Sequence, residues 1–377
     1  MDNLENILKK INLFINIDKE RNVYTNHFNC LRKAIYDKLR EDDVFKSLSA
    51  GTVLEGSYGD NLKVKSPDEF DLVFYIKFPE TKSVTIKKDS QIAGNIFIDT
   101  TAVIKIIEKQ VHHANTLNCI KKMVTKDNNL IIENMHAWLQ SLFQKTMNSL
   151  QEKIIVNEVA SKLRYIRCGP AHTIKVTGPC TYSVDFVPAI LLEPHQDISG
   201  KKIKSNWQAI PKPLKTASKK PQISFRTSYY QEENRIISNK NNLKNVLRFM
   251  KKFRDTHPNM SNLKSYYIKT IFLWKAHSKN NDNKYWNNSL SDILLEMFTE
   301  LELHLTKKKL PYYWDAKLDL FKHLQLSQFN EMLNCTMNAR KTLAQAKMSM
   351  TPKLQFQTYA VFLNEKERQE TGIEDPK

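Results

Sequence analysis

The chain has 377 residues, 41% of them hydrophobic and 10% aromatic, enough apolar material for a packed core and too much for a disordered protein. A formal charge of +18 and a pI near 9.4 point to a polyanionic partner or an anionic substrate. No apolar run approaches the ~20 residues of a spanning helix. The first ten residues carry early acids and no signal-peptide core. The five cysteines (Cys30, Cys119, Cys168, Cys180, Cys335) are scattered and form no C-x-x-C, so the expectation is a cytoplasmic or nuclear protein with reduced thiols and no membrane partner.

Taken in order, residues 1 to 15 read as a short amphipathic helix. A longer helix is expected from Asn22 to Leu48, where Phe28, Leu31, Ile35 and Leu39 recur at spacings of three and four. Arg32, Lys33, Lys38 and Arg40 lie mostly off that stripe, as a solvated face or a polyanion contact. Strand-like runs follow at Thr52–Leu54, Phe70–Phe78 and Ile96–Ile107, and the spacing predicts a helix over Asn134–Leu163. His172–Val176, the turn Thr177-Gly178-Pro179 and Cys180–Leu192 read as a hairpin. From Gly200 to Gln222 the chain is expected to be a basic, proline-interrupted loop carrying Lys201, Lys202, Lys204, Lys212, Lys215, Lys219 and Lys220. Beyond Asn242 the pattern is almost wholly helical, and residues after about 364 read as a loose tail. Helices and strands alternate in the first half and helices fill the second, an α+β architecture.

The chemistry concentrates in Leu54-Glu-Gly-Ser-Tyr-Gly followed by Pro67-Asp-Glu-Phe-Asp71. On a strand opening near Phe70, Glu69 and Asp71 stand two apart and share a face. Alone the pair is more often a solvated strand edge, but paired carboxylates repel unless a cation joins them, and hard oxygen ligands suit Mg²⁺ or Mn²⁺. Gly56 lets the backbone approach a phosphate, and Ser57 offers an amide and a hydroxyl, although Gly-Ser alone is an ordinary turn. Asp185 sits inside the apolar strand Tyr182–Leu191 and needs a partner, either a metal shared with Glu69 and Asp71 or a salt bridge in the core. His112, His113 and Cys119 do not form a zinc set, because adjacent histidines on a helix face apart.

In this order and spacing the residues resemble the DNA-polymerase-β-type nucleotidyltransferases, and more closely the cyclic GMP-AMP synthase (cGAS)-like receptor family, in which Glu takes the first acidic position. The resemblance implies a bilobal fold: residues 1–48 an N-terminal helical segment with a long backing helix, 49–225 a mixed-sheet catalytic lobe, 226–364 a helical lobe, 365–377 a tail. It implies two Mg²⁺ or Mn²⁺ ions on Glu69, Asp71 and Asp185, with Gly56, Ser57 and Asp185 at the nucleotide. Phe225–Ile237 resembles the segment that contacts the bases, which implies base contacts for Arg226, Ser228 and Glu233; Tyr230 stands where the family has a second serine. Leu247-Arg-Phe-Met-Lys251 resembles the block with the triphosphate lysine, Lys251. Lys264-Ser-Tyr-Tyr-Ile-Lys269 resembles the block in which Ser265 and Lys269 reach phosphates and Tyr266 stacks on a base. The interval Asn234–Arg248, where cGAS carries a zinc insertion, has neither His nor Cys, so no structural zinc is expected and the chain resembles the invertebrate type.

What the resemblance implies is a nucleic-acid-activated enzyme. It would join ATP and GTP into a cyclic dinucleotide, a GMP-AMP isomer, as a second messenger of innate immunity, with double-stranded RNA expected as activator ahead of double-stranded DNA. Pairing of two protomers on nucleic acid is open. The nucleic-acid face is expected at Arg32, Lys33, Lys38, Arg40, Lys201, Lys202 and Lys204. The alternatives are a linear oligoadenylate-type synthase and a pseudoenzyme that only binds nucleic acid.

Overall fold

The computed structural model describes residues 3–15, 18–64, 67–214 and 220–376, with side chains of residues 18–20 outside that description. In chain order the elements are α1 (Asn3–Ile15), α2 (Asp18–Leu39), α3 (Asp43–Leu48), β1 (Ser49–Glu55), α4 (Gly56–Gly59), β2 (Glu69–Ile76), β3 (Thr85–Lys88), β4 (Asn95–Asp99), α5 (Thr101–Ile107), α6 (Ala114–Lys122) and α7 (Ile132–Ser149). There follow β5 (Lys153–Val156), β6 (Val159–Cys168), β7 (Ala171–Thr177), β8 (Tyr182–Leu192), β9 (Trp207–Ile210) and β10 (Phe225–Ser228). The chain closes with α8 (Tyr230–Ile237), α9 (Asn241–Thr256), α10 (Ser265–Ser278), α11 (Leu290–Thr306), α12 (Leu326–Met348), α13 (Pro352–Phe362) and α14 (Glu365–Glu370). The architecture is α+β, in two units: Asp18–Asp60 with Pro67–Glu232, and Met1–Ile17 with Asn61–Ser66 and Glu233–Lys377. No helix among the described residues is long and apolar enough to cross a membrane.

The first unit is built on a ten-stranded mixed sheet. β8 is its axis: β2 runs parallel to it over Ser183–Ile190, while β7 and β9 pair with it antiparallel. Period-two alternation divides the sheet into two faces. Phe70 and Phe74 of β2 and Phe186 of β8 point to the helical side, where Phe28 of α2 stacks on Phe70 at 4.3 Å and Phe143 of α7 meets Phe186 at 5.4 Å. Their neighbours Glu69, Asp71 and Asp185 therefore point to the opposite side, where the apolar floor continues as Val73, Tyr75 and Ala189.

Several boundaries differ from the sequence reading. The helix expected over Asn22–Leu48 is two helices, because Asp42 accepts a hydrogen bond from the Phe45 amide at 2.9 Å and starts α3 afresh. The run Ile96–Ile107 is strand only to Asp99. That carboxylate accepts from the Thr101 amide at 2.9 Å, and the apolar spacing Val103, Ile104, Ile107 serves a helix face. The helix expected over Asn134–Leu163 stops at Ser149. Gln151 and Glu152 have φ of 52°, and Asn157 and Glu158 (φ 49° and 65°) make the two-residue turn that joins β5 to β6. The loop expected over Gly200–Gln222 contains β9, seated by Trp207, which is fully buried and donates from Nε1 to the Glu193 carbonyl at 3.1 Å. Lys215 and Lys219 lie outside the described residues.

The second unit is helical. Phe253 of α9 packs on Phe298 of α11 at 5.0 Å, and Phe249 on Phe362 of α13 at 5.2 Å. The amphipathic α1 joins it, burying Leu4, Ile7, Leu8, Ile11 and Ile15. The terminal segment expected as a loose tail carries α14, capped reciprocally by Asn364 and Glu367, and Glu367 also pairs with Lys252, whose side chain is almost wholly buried.

Candidate active site

Main-chain pairing builds the acid cluster. Parallel register places Asp71 opposite Asp185 and Glu69 opposite Ser183, so carboxylates from two strands meet on one face. One oxygen each of Glu69, Asp71 and Asp185 lies within 4.8 Å of the others. Glu69 is exposed, Asp71 and Asp185 are half-buried, and Thr173 of β7 donates from its hydroxyl to Asp185 Oδ1 at 2.6 Å, fixing the rotamer. Three convergent hard-oxygen donors fit a small divalent cation, which also offsets their repulsion. Gly56 shapes the same spot. Its φ is +65°, and a Cβ there would lie 1.9 Å from Asp71 Oδ2, so the Asp71 carboxylate occupies the space a side chain would need.

The Gly56–Gly59 turn is held from both sides. Tyr58 is buried on Phe70 at 4.5 Å. Its hydroxyl lies 2.5 Å from Thr25 Oγ1, it also donates to the Arg21 carbonyl at 3.3 Å, and the Arg21 guanidinium lies 5.0 Å over its ring. On the other side Tyr230 donates to the Leu54 carbonyl at 3.2 Å, over Gly59, where a Cβ would stand 2.2 Å from that same oxygen. The Tyr230 substitution noted in the sequence is thus a brace for the turn. Next to Asp71 in the antiparallel register is Glu55, buried and accepting at 2.5 Å from Gln208 Nε2, which also donates to Tyr75 at 3.1 Å. Burial, and then the Glu55 charge, raise the Tyr75 hydroxyl above its usual range. Thr173, Glu55, Gln208 and Tyr75 were missed in the sequence; only Thr173 was findable there, by counting hairpin register back from Asp185.

Register also puts Arg226 and Ser228 of β10 on the acid face, through Ile210 and Gln208 of β9. Arg226 donates to the Ala93 carbonyl at 3.2 Å. In the helical unit, Glu233, Tyr266 and Lys269 form one network. Glu233 accepts from the Tyr266 hydroxyl at 2.6 Å and from Trp314 Nε1 at 3.0 Å, and pairs with Lys269 at 3.0 Å. Burial and the Glu233 charge hold the Tyr266 hydroxyl well above its ordinary range. Lys251 is buried and donates to the Leu62 carbonyl at 2.7 Å; Ser265 opens α10 and accepts from Arg254. On α2, Lys33 and Arg40 are exposed and Arg32 half-exposed, while Lys38 pairs with Glu41 at 2.8 Å. Lys202 and Lys204 are exposed, and partial burial lowers the Lys201 ammonium.

Comparison with known proteins decides the family. The profile described as "Mab-21 protein nucleotidyltransferase domain" matches residues 58–239, and the "Mab-21 protein HhH/H2TH-like domain" matches 242–338. A cyclic GMP-AMP synthase-like receptor of Lucilia cuprina is 45% identical over 362 residues, 96% of this chain and 97% of its own. Cyclic GMP-AMP synthase-like receptor 1 of Drosophila simulans is 42% identical over 90% of this chain and 89% of its own, and its Drosophila melanogaster counterpart 40% over 88% and 90%. The chain belongs to the cGAS-like receptor family. It is a nucleotidyltransferase, and its matched domain contains the β2–β8 cluster of Glu69, Asp71 and Asp185.

Proposed function

We propose that this receptor, when it binds nucleic acid, joins ATP and GTP into a cyclic dinucleotide, a GMP-AMP isomer, and that the product serves as an innate immune signal. The observation that carries the reading is the convergence of Glu69, Asp71 and Asp185 beside the Gly56-Ser57 turn. Those three carboxylates would hold two Mg²⁺ or Mn²⁺ ions, with Asp71 seated against Gly56 and Asp185 fixed by Thr173. Bound there, divalent ions lower the pKa of an attacking ribose hydroxyl and offset the charge of the leaving pyrophosphate. The Gly56 and Ser57 amides and the Ser57 hydroxyl receive donor phosphates, and Lys251, Ser265 and Lys269 contribute further triphosphate contacts. Arg226, Ser228 and Glu233 read the bases and Tyr266 stacks on one. In each of two rounds a ribose oxygen bonds to an α-phosphorus as the bond to pyrophosphate breaks, and the second round closes the ring.

Double-stranded RNA is the activator we favour, since Asn234–Arg248 lacks the His and Cys of the zinc insertion that supports DNA binding in cGAS, and an RNA duplex is read by shape through phosphates and 2′-hydroxyls without a sequence motif. The exposed cations of α2 and the Lys201–Lys204 loop are the proposed contacts. The test incubates the protein with ATP, GTP and Mg²⁺ or Mn²⁺, alone, with double-stranded DNA or with double-stranded RNA, and resolves phosphatase-resistant products by mass. A cyclic dinucleotide that appears only with RNA supports the proposal. A ladder of linear oligomers replaces it with an oligoadenylate-type synthase, and RNA binding with no product replaces it with a silent binder.

A further inference from the structure

The acid face does not end at Asp185. Following the register outward from Glu69, the same row runs through Ser183 of β8, Lys175 of β7 and Arg164 of β6. The next row adds Lys162 opposite Thr177, with Lys153 of β5 opposite Lys162. Residues paired across strands share a face, so four cations stand on the side of the sheet that carries the carboxylates. All four are exposed, whereas Leu163, Ile174 and Val176 between them are buried on the helical side. None of the four has an ion-pair partner among the described residues. Four unneutralised cations in one ladder are mutually repulsive, an arrangement that an anionic ligand relieves.

We propose that Lys175 and Arg164, with Ser183, form a subsite for the 5′-triphosphate of the acceptor nucleotide, with Lys162 and Lys153 extending it. The inference rests on the two-nucleotide reading above. The donor's triphosphate is engaged at the carboxylates, and the acceptor must also bring its ribose hydroxyl there. Its own triphosphate then trails away from the acids. With strands about 4.8 Å apart, Lys175 stands roughly 10 Å and Arg164 roughly 14 Å from Glu69 along the row, a span that a nucleoside bridges. A duplex is the weaker match, because the row starts at the acid cluster and lies on the sheet face opposite α2, where Phe28 packs.

The test is equilibrium titration with a non-hydrolysable α,β-methylene GTP in Mg²⁺, read as stoichiometry and so without turnover. Wild type is expected to bind two analogues per chain, R164A/K175A to hold the second at least tenfold more weakly, and the charge-conserving R164K/K175R to recover it. Under turnover, KM for the acceptor rises about tenfold in R164A/K175A and stops depending on whether the acceptor is a mono- or triphosphate, while the donor's KM holds. Two equally tight sites in both proteins overturn the subsite, as does a wild type that binds one. An R164A/K175A protein that loses only affinity for RNA overturns it too and assigns the ladder to nucleic acid. Failure to make any dinucleotide removes the synthase reading, yet the stoichiometry still decides the subsite.

Discussion

Glu69, Asp71 and Asp185 repel one another, so exchanging one for its amide has opposite effects on two measurements. Glu69→Gln, Asp71→Asn or Asp185→Asn should lower product formation by on the order of a thousandfold, the loss of several kcal/mol of charge stabilisation. Thermal unfolding without divalent ions should hold or rise, by about 1 kcal/mol of relieved repulsion. Product counted by mass and a melting curve check both; a large drop in melting temperature with the activity would recast the acids as structural. Gly56→Ala should lose activity and at least about 1–2 kcal/mol of stability, since a side chain there adopts a left-handed backbone and meets the Asp71 carboxylate. Glu69 and Asp71 were legible in the sequence because E-x-D on a strand puts both carboxylates on one face, whereas Asp185 was expected from its apolar strand and the family resemblance, and its place opposite Asp71 comes from the β2–β8 register. Thr173, Glu55 and Gln208 were not, because their roles depend on which residues stand opposite across strands, and register is not written in any one segment.

Beneath the sheet, on the helical side, a hydrogen-bonded chain ties α7 to β7 and to the segment after β9. Tyr165 donates to His172 Nδ1 at 2.8 Å, His172 and His136 meet at 3.2 Å, and His136 reaches the Pro211 carbonyl at 2.7 Å, an order that both neutral rings satisfy at once. Burial pushes His136 down to about 4 and His172 to about 3, with the neighbouring His136 and Arg167 adding to the latter. The folded pair binds fewer protons than the unfolded chain, so its contribution is complete above pH about 6.5 and is lost as pH falls toward 4 and 3. Stability should fall by about 1.4 kcal/mol per pH unit for each histidine over that range. Denaturant unfolding at pH 7.5, 6 and 5 checks it, and His172→Asn should flatten the slope while lowering stability at pH 7.5. Among elements, the helices with clear apolar stripes were legible in the sequence. The end of α7 and the β5–β6 hairpin were not, because Leu150, Ile154 and Leu163 continue a helical spacing and only the left-handed Gln151-Glu152 and Asn157-Glu158 steps interrupt it.

On the scale of the whole chain, the charge predicts that affinity for a duplex falls steeply with salt, log affinity dropping by about 0.9 for each contacted phosphate per tenfold salt. A binding series from low to physiological salt measures it, and a flat response would count against the basic faces. The C-terminal helix α14 is tied in through Lys252, so Glu367→Gln should cost about 3 kcal/mol by leaving a buried ammonium without its partner, read as a lower melting temperature. The overall α+β organisation followed from the change in periodicity near residue 242. The seating of α1 among the C-terminal helices did not, since an apolar stripe says that a helix is covered and not by what. Asp71 and Asp185 sit on strands more than a hundred residues apart in sequence yet are direct neighbours. On the ribosome β2 is therefore complete long before β8 exists, and the parallel pairing that sets the carboxylates closes a long loop late. Until then the edge of β2, with Phe70 and Phe74 beside it, lacks the partner strand, so the nascent sheet-bearing unit is expected to expose an aggregation-prone edge, and its yield in cells should fall when chaperone cover is withdrawn during that interval.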